Sequence, residues 1–306
     1  MKKLLMTSAL ATVAATSLAA AECNEVTFSD VGWTDITATT AAASVVLDAL
    51  GYDTETKILA VPVTYTSMAS GDIDVFLGNW MPTMEGDIAK YREEGSVDTV
   101  RANLEGAKYT LAVNKAAADM GIKTFADIAA NKDALEGEIY GIEPGNDGNR
   151  LIQSMIDENA FDLGEFEVVE SSEQGMLAQV QRATRKEEPV VFLGWEPHPM
   201  NANFDLTYLE GGDDYFGPDL GGATVYTNTR AGFVEECPNL GKFLKNLGFT
   251  VGMENEIMGG NLDGGEKPEE AAAAWIKANS DVLSTWLDGV TTVDGGDAME
   301  AVASLK

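Results

Sequence analysis

The chain has 306 residues, 50 of them acidic against 20 basic, and a formal charge of −30. That balance repels nucleic acid and anionic lipid and gathers small cations; a heavily solvated acidic surface explains most of it, so the charge serves here only to exclude polyanionic partners. Past the N-terminus no segment approaches the roughly 20 apolar residues that cross a bilayer.

Met1-Lys2-Lys3, the apolar stretch Leu4 to Ala19 and the small residues Ala19-Ala20-Ala21 read as a secretory signal peptide over residues 1–21. A lipoprotein would need its cysteine directly after the small residues, and Glu22 intervenes before Cys23. A soluble, exported chain of about 285 residues remains, enough for two domains.

Short β-branched runs then alternate with amphipathic helical stretches, a pattern of α/β layers with largely parallel sheets. Val26 to Phe28 is a first strand leading through Asp30 to Trp33, and Thr34 to Leu50 is helical with Gly51 as its stop. Thr56 to Val63 reads as a strand, Tyr65 to Ser70 as a short helix, and Val75 to Leu77 as a third strand that delivers Gly78-Asn79-Trp80. A second unit begins near Tyr109. Its strands are Tyr109 to Val113, Ile139 to Ile142, Phe166 to Glu170 and Val190 to Leu193, with helices over Thr124 to Ala130 and Asn149 to Asn159. The chain returns through Leu206 to Leu209 and Thr224 to Thr227, and is mostly helical from about residue 232.

Cys23 and Cys237 are the two cysteines of an exported chain and are expected to form one disulfide. That pairing would bring the first and last thirds of the chain into one domain. The middle third is then an inserted lobe reached by two crossovers, and two lobes around a cleft suit a solute-binding protein.

Trp33, Trp80 and Trp195 each stand near a strand end in a short polar segment. Ligands of open α/β sheets bind at the carboxyl ends of strands. An indole held there can present its negative face to a cation that has no N–H to donate. The three together point to a quaternary ammonium ligand. Trp275 and Trp286, at helical spacing among alanines and leucines, read as structural.

The segments Asp30 to Asp35, Phe76 to Met84 and Leu193 to His198, with Ala274 to Ile276 and Trp286, resemble the periplasmic substrate-binding proteins of quaternary-amine ABC transporters, and the choline-binding members most closely. The resemblance spans nearly the whole mature chain. It implies an α/β, two-lobed periplasmic binding protein fold, a type II-like Venus flytrap with two crossover strands, divided as residues 22–107 and 209–306 in one lobe and 108–208 in the other. It also implies a periplasmic protein that hands choline to a membrane permease, acts as a monomer and needs no cofactor. Carried over by motif, the cage is Trp33, Trp80, Tyr109 and Trp195, while Asp35 and Asn146 contact the hydroxyl end of the ligand. Asn146 is chosen over Asp147 by alignment with the family.

Four aromatic faces worth ~0.5–2 kcal/mol each would hold a trimethylammonium group. Asp35 would neutralise it and accept from a ligand hydroxyl, whereas glycine betaine would bring a second carboxylate against it. Acetylcholine and carnitine are further alternatives. A hydrolase is disfavoured because the single histidine, His198, lies between two prolines and a disulfide would remove both thiols; carboxylate-only chemistry stays open, but no acidic pair stands out. A histidine/cysteine zinc site fails on the same count. The acidic, glycine-rich segments 211–214 and 261–266 lack EF-hand spacing and read as turns.

Overall fold

A computed structural model describes residues 23–262 and 264–305. The signal peptide read over residues 1–21 lies outside the described residues. In chain order the strands are β1 (Glu25–Asp30), β2 (Asp53–Ile58), β3 (Val75–Met81), β4 (Val97–Asn114), β5 (Glu138–Tyr140), β6 (Glu167–Val169), β7 (Val191–Glu196), β8 (Leu206–Tyr208) and β9 (Gly222–Arg230). The longer helices are α1 (Thr34–Ala49), α2 (Val61–Ser70), α3 (Glu85–Glu93), α4 (Asp147–Asp157), α5 (Glu173–Lys186), α6 (Pro238–Asn246), α7 (Val251–Leu262) and α8 (Pro268–Ala278).

The sheet order is β2-β1-β3-β9-β4-β7-β5-β6, with β8 paired to β4. At one end β1 pairs in parallel with β2 and β3. At the other, β5 pairs in parallel with β6 and β7. Between them run the two long antiparallel strands β4 and β9, which cross from one lobe to the other. β4 pairs with β9 from Val97 to Lys108 and with β7 from Lys108 to Val113, so one strand serves both lobes and changes its neighbour at Lys108. The expectation of largely parallel sheets therefore holds only among β1, β2 and β3 and among β5, β6 and β7; β4 and β9 pair antiparallel with each other and with β3, β7 and β8.

Three local readings are corrected. Residues 61–63 are not strand: the chain leaves β2 at Ile58 and α2 starts at Val61, with Pro62 in its first turn, where a missing N–H costs nothing. Trp80 and Trp195 lie inside β3 and β7 rather than in the turns after them. β4 begins twelve residues before the strand read at Tyr109, and its exposed polar positions disguise it.

The outer core of the first lobe packs Phe28, Val46 and Leu47 against Phe243, Ile276 and Trp286 from the C-terminal helices. The Cys23–Cys237 disulfide, Cα atoms 5.6 Å apart, ties the start of β1 to the turn before α6 in that same lobe. A second core runs from the cleft through the second lobe and includes Ile139, Ile152, Val191 and Leu193. β3 passes so close beneath α1 that a Cβ on Gly78 would lie 2.8 Å from the Ile36 side chain. That approach sets Trp80, two residues on, beside the start of α1.

Candidate functional site

The N-terminus of α1 opens into the cleft. Trp33 occupies its N-cap position and provides no side-chain cap, so an aromatic ring stands where Ser, Thr, Asp or Asn is usual. Asp35 lies in the first turn of the same helix. β3 contributes Trp80 to this wall. From the second lobe, β4 and β7 place Tyr109 and Trp195 directly opposite each other across their ladder.

These five side chains, with Ile142 and Asp147, line a single small cavity. The rings meet at steep angles. Tyr109 lies 6.0 Å from Trp80 at 62° and 6.3 Å from Trp195 at 81°, centroid to centroid. Phe216 backs Tyr109 at 5.9 Å. None of the four cage rings is more than 6 % exposed, so the lobes are closed over them.

Gly148 allows Tyr109 to reach the start of α4, since a Cβ there would come within 2.1 Å of the phenol oxygen. The Tyr109 hydroxyl donates to Asn146 Oδ1 at 2.9 Å, and that oxygen also accepts the Asn149 N–H at 3.1 Å, capping α4. Asn146 thus stands behind Tyr109 rather than in the cavity lining, while its neighbour Asp147 is in the lining. Asp147 and Ile142 were not singled out from the sequence. An acidic side chain in the first turn of a helix that follows a strand end was the signal available for Asp147.

The electrostatics are one-sided: no lysine or arginine lines the cavity. Asp35 is fully buried and neither carboxylate oxygen has a well-aligned hydrogen-bond partner among the described residues. Burial, reinforced by the nearby charge of Glu173, pushes its pKa up to about 8. Burial raises Asp147 to about 6. Glu143, which accepts the Trp33 indole N–H at 2.9 Å from across the cleft, is raised by burial to about 7. Behind Asp35, burial and the Asp35 charge hold the Glu254 carboxyl well above its ordinary range. Electron-rich faces and buried carboxylates without a counter-cation form a site complementary to a small, poorly hydrated cation.

Two lobes joined by crossover strands and shut on such a cavity define a substrate-binding protein of the flytrap kind. The chain belongs to the family described as the substrate binding domain of ABC-type glycine betaine transport systems, whose model matches residues 24–278. It is similar to an ABC-transporter choline binding protein solved in complex with choline, with 67 % identity, a TM-score of 0.92, and coverage of 93 % of this chain and 99 % of that one. The structure of an ABC-transporter choline binding protein in an unliganded semi-closed conformation matches at 68 % identity and a TM-score of 0.86, over 92 % of this chain and 99 % of that one. The glycine betaine/carnitine transport binding protein GbuC of Listeria monocytogenes serotype 1/2a (strain 10403S) is 33 % identical over 177 residues, 57 % of this chain and 58 % of that protein.

Proposed function

We propose that this protein captures choline between its lobes and delivers it to the permease of an ABC transporter at the outer face of the membrane. The observation that carries this reading is the closed box of Trp33, Trp80, Tyr109 and Trp195 with Asp35 in its wall. A trimethylammonium group spreads its charge over methyls, and several aromatic faces satisfy both that charge and the apolar methyl surface. An ammonium ion without methyls would offer the four rings no apolar methyl surface to pack against. Choline identity extends from the choline-bound relative to this chain through the match in identity and fold.

Asp35 supplies the opposite charge and an acceptor for the ligand hydroxyl. A cation beside it compensates the burial that otherwise raises its pKa to about 8. Glycine betaine would set its carboxylate against Asp35 and Asp147 with no arginine or lysine in the lining to receive it. Choline is therefore favoured over betaine despite the family description. Ligand lands on the aromatics of one lobe, closure about β4 and β9 brings in those of the other, and the permease receives the closed form. We assign residues 22–107 and 209–306 to one lobe and 108–208 to the other; the protein works as a periplasmic monomer without catalysis.

Calorimetric titration with choline and then glycine betaine tests the reading. Tight choline binding with weak or absent betaine binding is expected. Tight betaine binding would overturn the role given to Asp35, and heat from neither ligand would return the aromatics to the core.

A further inference from the structure

The N-cap residue of α1, Trp33, offers no side-chain acceptor to the leading N–H groups of the helix. For the Thr34 N–H the acceptor comes from the other lobe. Glu173, at the first turn of α5, directs Oε2 to the Thr34 N–H at 2.8 Å and takes the Thr34 hydroxyl on Oε1. Thr34 and Glu173 are 139 residues apart, are 5 % and 1 % exposed, and lie on opposite sides of the cleft.

Glu173 is itself held from behind. His198 Nδ1 accepts the Met200 N–H at 2.9 Å, which leaves the proton on Nε2, 3.2 Å from Glu173 Oε1. The same imidazole packs edge-on against Trp195, ring centroids 5.0 Å apart. A buried chain of contacts thus runs from Trp195 through His198 and Glu173 to Thr34, which sits between Trp33 and Asp35.

We infer that Glu173, braced by His198, is the interlobe latch of this protein: a carboxylate carried by one lobe that caps the helix presenting Trp33 and Asp35 in the other only when the cleft is shut. The Thr34 N–H is left to water in the open form and meets the Glu173 carboxyl in the closed form. A carboxylate at a helix N-terminus gains from both the N–H bonds and the helix dipole, and burial strengthens both. The latch also makes geometric sense of the uncapped start of α1. The position a capping side chain would occupy is taken by a cage ring, and the cap is moved across the cleft. Asp87 and Arg150 form another cross-cleft pair, with bonds of 3.1 and 2.6 Å, but at the exposed rim, where water competes. Glu173 and His198 act here as positioning residues, and the inference rests on closure of the site rather than on which amine it holds.

The test is stopped-flow release of choline, read by tryptophan fluorescence, for the wild-type protein and for Glu173→Gln, His198→Gln and Thr34→Val. The glutamine at 173 keeps the shape and loses the charge, and release should quicken about tenfold or more, as for loss of a buried charge-assisted bond, with the association rate nearly unchanged. His198→Gln should quicken release by less, and Thr34→Val, which retains the N–H, by the least. Melting of the ligand-free protein is followed in parallel. An unchanged release rate in Glu173→Gln overturns the latch, as does a lowered melting temperature with release untouched, the signature of a residue that only supports its own lobe. Should wild-type protein bind no choline, the ligand assignment fails and the latch is read instead from hydrogen exchange at the Thr34 amide of the protein alone. Faster exchange in Glu173→Gln than in wild type supports the latch, and equal exchange overturns it.

Discussion

Tyr109 and Asn146 are bound to each other: the phenol donates to the amide oxygen at 2.9 Å, and the Asn149 N–H fills the other side of that oxygen at 3.1 Å. Asn146 Nδ2 in turn donates to Asp147 Oδ1 at 3.1 Å. With its acceptor capacity spent, Asn146 has one N–H left to offer a ligand. Its other influence on the cage runs through the ring it holds. Tyr109→Phe should weaken choline binding several-fold while the fold stays intact. Asn146→Ala should weaken binding at least as much and also cost about 1 kcal/mol of stability through the lost cap. A double-mutant cycle by calorimetry separates the two routes: strong non-additivity is expected if Asn146 acts through Tyr109, and additive losses would show that it meets the ligand independently.

Trp80 and Trp286 should respond in opposite ways to the same substitution. Trp80 lines the cavity and its indole N–H has no partner among the described residues, whereas Trp286 is a core ring whose N–H donates to the Gly248 carbonyl at 3.1 Å. Trp80→Ala should lower choline affinity by about 2 kcal/mol or more with little change in melting temperature, as for a desolvated aromatic anchor. Trp286→Ala should cost on the order of 3–5 kcal/mol of stability through the cavity it leaves. Affinity and thermal melts measured on both variants check this; affinity unchanged in a folded Trp80→Ala protein would remove Trp80 from the site.

The tryptophans that line the cavity were legible because glycine and proline punctuate their segments, and an indole in such a segment stands out from the apolar runs that build cores. Strand β3 and the start of β4 were less so. Trp80 follows Gly78 and Asn79, which look like turn residues, yet Gly78 is there because α1 passes within reach of its missing Cβ. The first two-thirds of β4 carry exposed polar side chains, since a crossover strand has no helix covering both faces. Asp147, in the cavity lining, was not singled out: at a helix start one residue separates the side chain that lines the cavity from the Asn146 side chain that caps the helix. The pairing of Glu173 with Thr34 had no local signal at all, because its partners are far apart in sequence and meet only when the lobes close.

Replacing Asp35 separates charge from shape. Its carboxylate is buried in the cavity wall without a well-aligned partner. Asp35→Asn keeps the volume and removes the counter-charge, so choline affinity should fall by about tenfold or more. Glycine betaine affinity should fall less or rise, because one of the two carboxylates opposing its own has gone. Titrating both ligands into both proteins gives the ratio directly. An equal loss for choline and betaine would show that Asp35 does not select between them.

Closure without ligand should depend on pH, with a sign fixed by the three carboxyls the closed cleft buries. Asp35, Glu143 and Asp147 are raised to about 8, about 7 and about 6, in each case first by burial, from ordinary values of 3.8, 4.5 and 3.8. Opening returns water to them and relaxes those values, so the closed form binds protons more tightly than the open one. These three groups therefore make ligand-free closure progressively less favourable as pH rises from about 6 to about 8. A bound trimethylammonium group reverses the balance, because it stabilises the ionised carboxylates that closure otherwise penalises. Small-angle scattering from about pH 6 to 8.5 should show the ligand-free protein expanding as pH rises, while the choline-saturated protein stays compact throughout. A ligand-free radius of gyration that does not change with pH would mean that the cost of burying these carboxylates does not govern the motion of the lobes.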